Sequence, residues 1–510
     1  MASLLVAGAG TLCPAAASQA RQKVHAVHAP SFTAFAVTDG TNPVDGGEPS
    51  IGADPKTNAV IYGAGGHETR MLFDDATSPP TVTQTNVSAP TAVLTLDAIT
   101  FVDQNTGRLF DSQLLGACSA MSYSDDDGAT WQPTTGCGQN TLLDHETVGG
   151  GPFHAPIPQG ANPIYPDAVY YCAQNGFNAT CAMSPDGGLT FGPGAYISNT
   201  PINSPGDPFG GACSGLHGHV KVGPDGTVYV PIKGCGGTPT AGNLTNQEFF
   251  GGHPAVSVST NNGTTYTVHT VPGGNNADES DNAVAIDRGN RLYMGWQDAR
   301  YPDPTNANVL PTTSLPKVAY SDDEGKTWSK PFDLSTALPK DSTPIHNVQF
   351  PEVIAGDAGR AAVAFLGTSA IGDDQHNSTF MTKGPGGTPP VWHLYIAMTH
   401  DGGKSWTTTD TTPNDPVQRG CVDLQGTSNK TITDTDICSQ RNLLDFNDIT
   451  VDRDGRVLAA YADGCINETD SRGFNCVTNP DPTAVYQGSR DMVMRQTSGE
   501  RLYVTHSKPR

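Results

Sequence analysis

The residue types best suited to chemistry in this chain stand where short apolar runs begin. "DHETVGGGPF" places Asp144, His145 and Glu146 ahead of such a run, and "GLHGHVKV" sets His217 and His219 two apart, hence on one face of a strand. Glu48, Asp97, Asp281, Glu352 and Asp448 open comparable runs. Carboxyl and imidazole groups gathered in one place can do acid–base work, one donating a proton while another serves as base or nucleophile. The three glycines after Val148 are read as places where backbone could approach a ligand closely. Two histidines on one face also suit a metal, but the sequence offers no third ligand, so no metal site is assigned. No cofactor is expected, with room left for a structural calcium.

Such residues need a scaffold that brings distant segments together, and the chain spells one out by repetition. Inner-strand patterns recur from Glu48, Asp97, His145, His219, Asn282, Pro351 and Asn447, each an apolar alternating stretch, an Asp/Gly turn and a second apolar stretch. A second pattern appears five times: "SYSDDDGATW" from Ser122, "AMSPDGGLTF" from Ala182, "SVSTNNGTTY" from Ser257, "AYSDDEGKTW" from Ala319 and "AMTHDGGKSW" from Ala397. Its order is Ser or Thr, any residue, Asp or Asn, any residue, Gly, any residue, Thr or Ser, then an aromatic. The Asp or Asn side chain caps its own turn and the glycine takes a backbone angle other residues resist. The recurrence indicates one supersecondary unit repeated along the chain with loops of variable length.

The repeated pattern is the Asp box, and the chain resembles the sialidase (neuraminidase) superfamily of β-propellers with bacterial-neuraminidase repeats. The resemblance implies an all-β propeller of four-stranded blades, each box joining the two outer strands away from the active-site mouth. Seven blades are counted where six are usual for sialidases. The polar residues that open the inner strands should then ring the channel.

The resemblance further implies an exo-acting glycoside hydrolase that removes terminal sugars of the sialic-acid type, with a Tyr nucleophile, acidic partners and an arginine clamp on the sugar carboxylate. Carried onto this chain, the carboxylates are Asp97 and Glu352, with His145 and Glu146 beside them, and the nucleophile is Tyr461 or Tyr486. Arg70, Arg300, Arg441 and Arg490 are the clamp candidates, and His217 and His219 line the same ring. The family's Phe-Arg-Ile-Pro motif is missing. Two other readings therefore stay open: a noncatalytic glycan- or protein-binding propeller, and a uronate polysaccharide lyase in which a ring histidine is the base.

Composition sets the outer limits. Among 510 residues, 58 are Gly and 40 Pro, only 15% are charged, and no long stretch keeps a helical apolar period, as expected for an all-β chain. A net charge of -23 repels phosphate backbones and anionic lipid, which argues against nucleic acid and membrane as partners; the glycan partner is what the resemblance implies. Residues 1–20 read as a secretory signal, 21–44 as an N-terminal extension and 45–505 as one propeller domain. Ten cysteines beyond the leader fall into sequential couples, Cys118/Cys137, Cys172/Cys181, Cys213/Cys235, Cys421/Cys438 and Cys465/Cys476. Five local disulfides in a secreted monomer are expected.

Overall fold

The computed structural model describes residues 29–504 apart from positions 96, 116–118, 135–143, 162–163, 175–178, 198–212, 214–216, 237, 240–248, 251, 276–279, 300–312, 373–388, 421, 423–440 and 482–487. Among the described residues, its strands form seven antiparallel blades of four strands each, numbered here from the N-terminus, with the short strand Gln418–Arg419 added to the sixth and a separate two-stranded sheet, Thr238–Pro239 with Phe249–Phe250. The innermost strands are Ser50–Ala53, Ala98–Val102, Asp144–Pro152, Lys221–Val222, Ala283–Ile286, Asn347–Ala355 and Asp448–Val451. Each touches the next, and the last touches the first, so they close a ring. The seven repeats read from the sequence are these seven blades.

Closure is made by the chain's own start. Ser31–Ala36 pairs with Arg490–Ser498 as the outer strand of blade 7, whose other strands come from residues 448–463. This strand lies within the stretch read as an N-terminal extension. It covers an edge that would otherwise offer unpaired backbone groups to another chain.

Blades pack through second strands that are buried along their whole length, among them Val228–Cys235, Leu292–Ala299, Ala361–Thr368 and Val457–Asp463. Small residues let the inner strands meet. A Cβ on Gly149 would stand 2.3 Å from the Val220 carbonyl oxygen, and one on Gly52 would stand 2.6 Å from Val102. The glycines after Val148 thus serve blade packing, since Gly151 also faces Val222 and Gly150 faces the Ala168 carbonyl. That differs from the ligand-approach reading, and the cause is the crowding of strands near the axis.

All five boxes link third strand to fourth, in blades 2 to 6. In blade 5 the Asp323 carboxylate accepts from Thr327 N at 2.8 Å, Thr327 Oγ1 at 2.7 Å and Ser321 Oγ at 2.9 Å, while Gly325 takes φ +84°. The boxes also clasp neighbouring blades. Arg291, in the turn after the inner strand of blade 5, forks onto Asp322 of its own box at 2.7 and 2.8 Å and donates to the Gly402 carbonyl of the blade 6 box at 2.7 Å. Arg108 repeats this with Asp125 and the Gly187 carbonyl of blade 3. Each guanidinium lies over a tyrosine, at 4.3 Å from Tyr320 and 4.1 Å from Tyr123. These contacts put the boxes at the end of the channel where inner strands finish, opposite the end where they start.

Three of the expected disulfides are present, Cys172–Cys181, Cys213–Cys235 and Cys465–Cys476. The other two couples fall outside the described residues. No helix among the described residues is long and apolar enough to cross a membrane.

Replacing Arg291 by Ala removes a planar, multidentate contact that Lys would restore only in part. Thermal and urea unfolding of Arg291→Ala should show a loss of about 1–3 kcal/mol, the scale of hydrogen bonds to charged groups. An unchanged midpoint would show that the clasp contributes nothing.

Candidate functional site

Side chains from five blades converge where the inner strands begin. His145 of blade 3 lies 2.8 Å, Nε2 to Oδ2, from Asp281, which precedes the inner strand of blade 5. Lys233, from the second strand of blade 4, stands 3.4 Å from the other oxygen of Asp281. His217 meets the ring of His145 edge-on at 5.3 Å. Across the channel, His219 Nδ1 of blade 4 is 3.6 Å from Asp448 of blade 7, and Glu352 of blade 6 completes a trio with them. Phe446 presents its ring edge-on to both His219, at 5.0 Å, and His145, at 5.9 Å. Contacts between blades as far apart as 4 and 7 mean that these groups fill the channel at this level.

The backbone is bent to aim them. His145 has φ +55° within a shift of strand register between Asp144 and Glu146, and Phe350 has φ +56° within a second shift between Gln349 and Glu352. Glu48 takes φ +44°. A left-handed backbone at a non-glycine residue is costly, and such positions gather at functional sites. Bulges of this kind re-aim side chains. The Phe350 bulge is held by its own N–H, which donates to Ser280 Oγ at 3.0 Å.

Burial then sorts the protons. Burial raises Glu352, helped by the neighbouring Asp448 carboxylate, so that it holds its proton well above the usual carboxylate range. Burial also opposes ionisation of Asp281, but His145 and Lys233 outweigh it and keep that carboxyl below its ordinary range. Asp448 is likewise held low, against burial, by His219 and Lys221. Burial, with the charge of His145, pushes His217 down to about 3, so this imidazole is neutral at pH 7. Its Nδ1 lies 3.1 Å from the Gly218 carbonyl oxygen.

The remaining sequence candidates divide. Glu146 points away from the axis: it accepts from Tyr171 OH at 2.8 Å and from Ser119 Oγ, and burial pushes it up to about 8. Asp97 is half-buried, and its charge acts on Glu146, Glu48 and Arg441. Arg441 is at this mouth but is engaged by Asp445 and, at 3.7 Å, by Glu48. Arg70 lies elsewhere, in the third strand of blade 1, where its charge acts on Asp127 in the box of blade 2. Arg490 pairs with Glu468 at 2.7 Å. Tyr461 packs in the apolar core between blades 6 and 7, where burial raises its phenol well above the ordinary range, the reverse of what a nucleophile needs. Arg300 and Tyr486 fall outside the described residues.

Three members were missed in the sequence. Lys233 interrupts the buried run "VYVPIKGC", and a lone cation in such a run signals a buried anion. Tyr171 and Phe446 carry no such mark, because buried aromatic residues usually build core. Beyond the polar cluster, toward the box end, the channel continues as a cavity of about 630 Å³ lined by Val102, Val220, Val222, Ile286, Ile449 and Val451, with Asp103, Arg288 and Arg453 from the turns.

The fold and its repeated turns define an Asp-box β-propeller protein. The family model of the BNR/Asp-box repeat matches residues 319–330, the box of blade 5. A comparison with curated protein sequences finds no match. Similar solved structures include the Hadza microbial sialidase Hz136, at 15% identity over 72% of this chain and 62% of that one, TM-score 0.38. The α-L-arabinofuranosidase Arb93A from Fusarium graminearum, with an iminosugar inhibitor, is 10% identical over 83% and 96% of the chains, TM-score 0.38. The intramolecular trans-sialidase from Ruminococcus gnavus, with oseltamivir carboxylate, is 11% identical over 91% and 96%, TM-score 0.35. This chain thus spans less than two thirds of the first of these, and likeness at this distance carries no argument about chemistry.

Because Glu146 is protonated in the folded state and ionised in the unfolded state between pH 4.5 and about 8, it lowers stability as pH rises through that window. Glu146→Gln removes this dependence while keeping an acceptor for Tyr171. Unfolding midpoints at pH 5 and pH 8 should show wild type losing ground to the variant at the higher pH, whereas parallel profiles would contradict an elevated Glu146.

Proposed function

We propose that this protein is a secreted carbohydrate-active enzyme, a glycoside hydrolase that receives a terminal sugar at the mouth where the inner strands begin. The observation that carries the reading is the convergence at one place of acid and base groups with opposed protonation. Glu352 holds its proton, while Asp281 and Asp448 stay ionised. Environments that push titratable groups apart in this way are how one site keeps both an acid and a base at neutral pH. Asp281 is the base or nucleophile in this reading, oriented by His145 and Lys233. The three disulfides support export to an oxidising compartment.

A terminal sialic acid is the finer reading. Arg441 at the mouth favours it, matching one arginine of the clamp that the family resemblance implies. For Arg441 to take a sugar carboxylate it must exchange Asp445 for the substrate, which its planar fork allows. A uronate lyase is the second reading, favoured by the 2.8 Å approach of His145 to Asp281, since a carboxylate that orients an imidazole prepares it as a base.

The test is turnover by the oxidised protein on 4-methylumbelliferyl α-sialoside, the α-L-arabinofuranoside and polyuronates, with Asp281→Asn and Arg441→Ala beside wild type. Asp281→Asn should cost ~10²–10⁴ in kcat/KM, the range for a lost acid–base group, with its circular dichroism unchanged. Arg441→Ala should raise KM for the sialoside alone. Unsaturated products from uronates would replace hydrolysis by elimination. Glycan binding without turnover on any substrate would make the protein a binding module.

A further inference from the structure

The trio His219, Glu352 and Asp448 has a use that acid–base catalysis does not require. One nitrogen or oxygen from each lies within 4.8 Å of the others, and all three side chains are buried. They come from blades 4, 6 and 7, so closure of the ring, and no local motif, brings them together.

Two further observations point to a ligand among them. Glu352 Oε2 is buried and has no hydrogen-bond partner, an arrangement that leaves a carboxylate oxygen costly to desolvate. His219 Nδ1 and Asp448 Oδ1 stand 3.6 Å apart, too far for a hydrogen bond. Donors bound to one ion at about 2.0–2.2 Å sit roughly 3–3.6 Å apart at tetrahedral angles. Among the described residues no lysine or arginine lies within ion-pair distance of either carboxylate. Lys221 acts on both only from further off.

We propose that His219, Glu352 and Asp448 bind one divalent first-row cation on the axis of the propeller. An imidazole nitrogen with two carboxylate oxygens suits Zn²⁺ or Mn²⁺ better than Ca²⁺ or Mg²⁺, which prefer oxygen donors throughout. The ion ties three blades together at the centre of the ring. The assignment shares Glu352 and Asp448 with the site of the glycan reading, but metal binding is measured without turnover, so the two readings fail independently.

The experiment uses the full oxidised chain, stripped with EDTA and dialysed. ZnCl₂ and MnCl₂ are titrated by calorimetry, metal content is measured by mass spectrometry, and the unfolding midpoint is followed with and without metal. One equivalent per chain and a higher midpoint are expected, with binding at least ~100-fold weaker in Glu352→Gln and Asp448→Asn, since each loses a first ligand and even outer partners are worth 10–100-fold. If those variants fail to fold, pulsed electron paramagnetic resonance of Mn²⁺ in the wild type gives the ligand directly, through coupling to an imidazole nitrogen. Less than a tenth of an equivalent, affinity unchanged in folded variants, no nitrogen coupling, or a preference for Ca²⁺ would each overturn the assignment.

Discussion

Radial closure is the constraint from which the rest of this structure follows. Seven four-stranded sheets are stable only if none leaves a long free edge and if their inner strands meet around the axis. The chain meets both conditions by returning its start, Ser31–Ala36, to the last blade and by placing glycines where inner strands touch. The boxes and the Arg108 and Arg291 clasps then fix the outer strands and lock blade to blade at one end. The opposite end is left for polar groups.

Once the ring is closed, its geometry does what no local sequence can. Residues that open different inner strands are carried to within hydrogen-bond or ion-pair distance of one another, although they are more than a hundred positions apart. Burial would make such a gathering of charge unfavourable. Here it is offset by pairing Asp281 with both His145 and Lys233, and by keeping His217 neutral and Glu352 protonated. Left-handed backbone at Glu48, His145 and Phe350 shows that the scaffold accepts strain to hold these groups.

Much of the architecture was legible because its signals are local. Each box fits within eight residues, and each inner hairpin shows its alternation and turn, so the blade number could be counted. The residues that open the inner strands could be named for the same reason. Partnership could not be read. The pair His145–Asp281 depends on a bulge and on ring closure, and His219–Asp448 on ring closure, and sequence shows neither. Tyr461, a nucleophile candidate on the family resemblance, lies in the core between blades, on a strand buried over its whole length. Arg70 was taken for a clamp residue on its nearness to the first repeat. Its place in a third strand carries it to the neighbouring box instead.

The central claim is that side chains from separate blades meet at the axis as one coupled cluster. A double-mutant cycle between His145 and Asp281 tests it most directly, using urea unfolding of wild type, His145→Gln, Asp281→Asn and the double variant. The account predicts that the two substitutions are non-additive by about 1 kcal/mol or more, as for residues in contact within one charged network. Additivity within ~0.5 kcal/mol, the behaviour of sites more than about 7–10 Å apart, would contradict it.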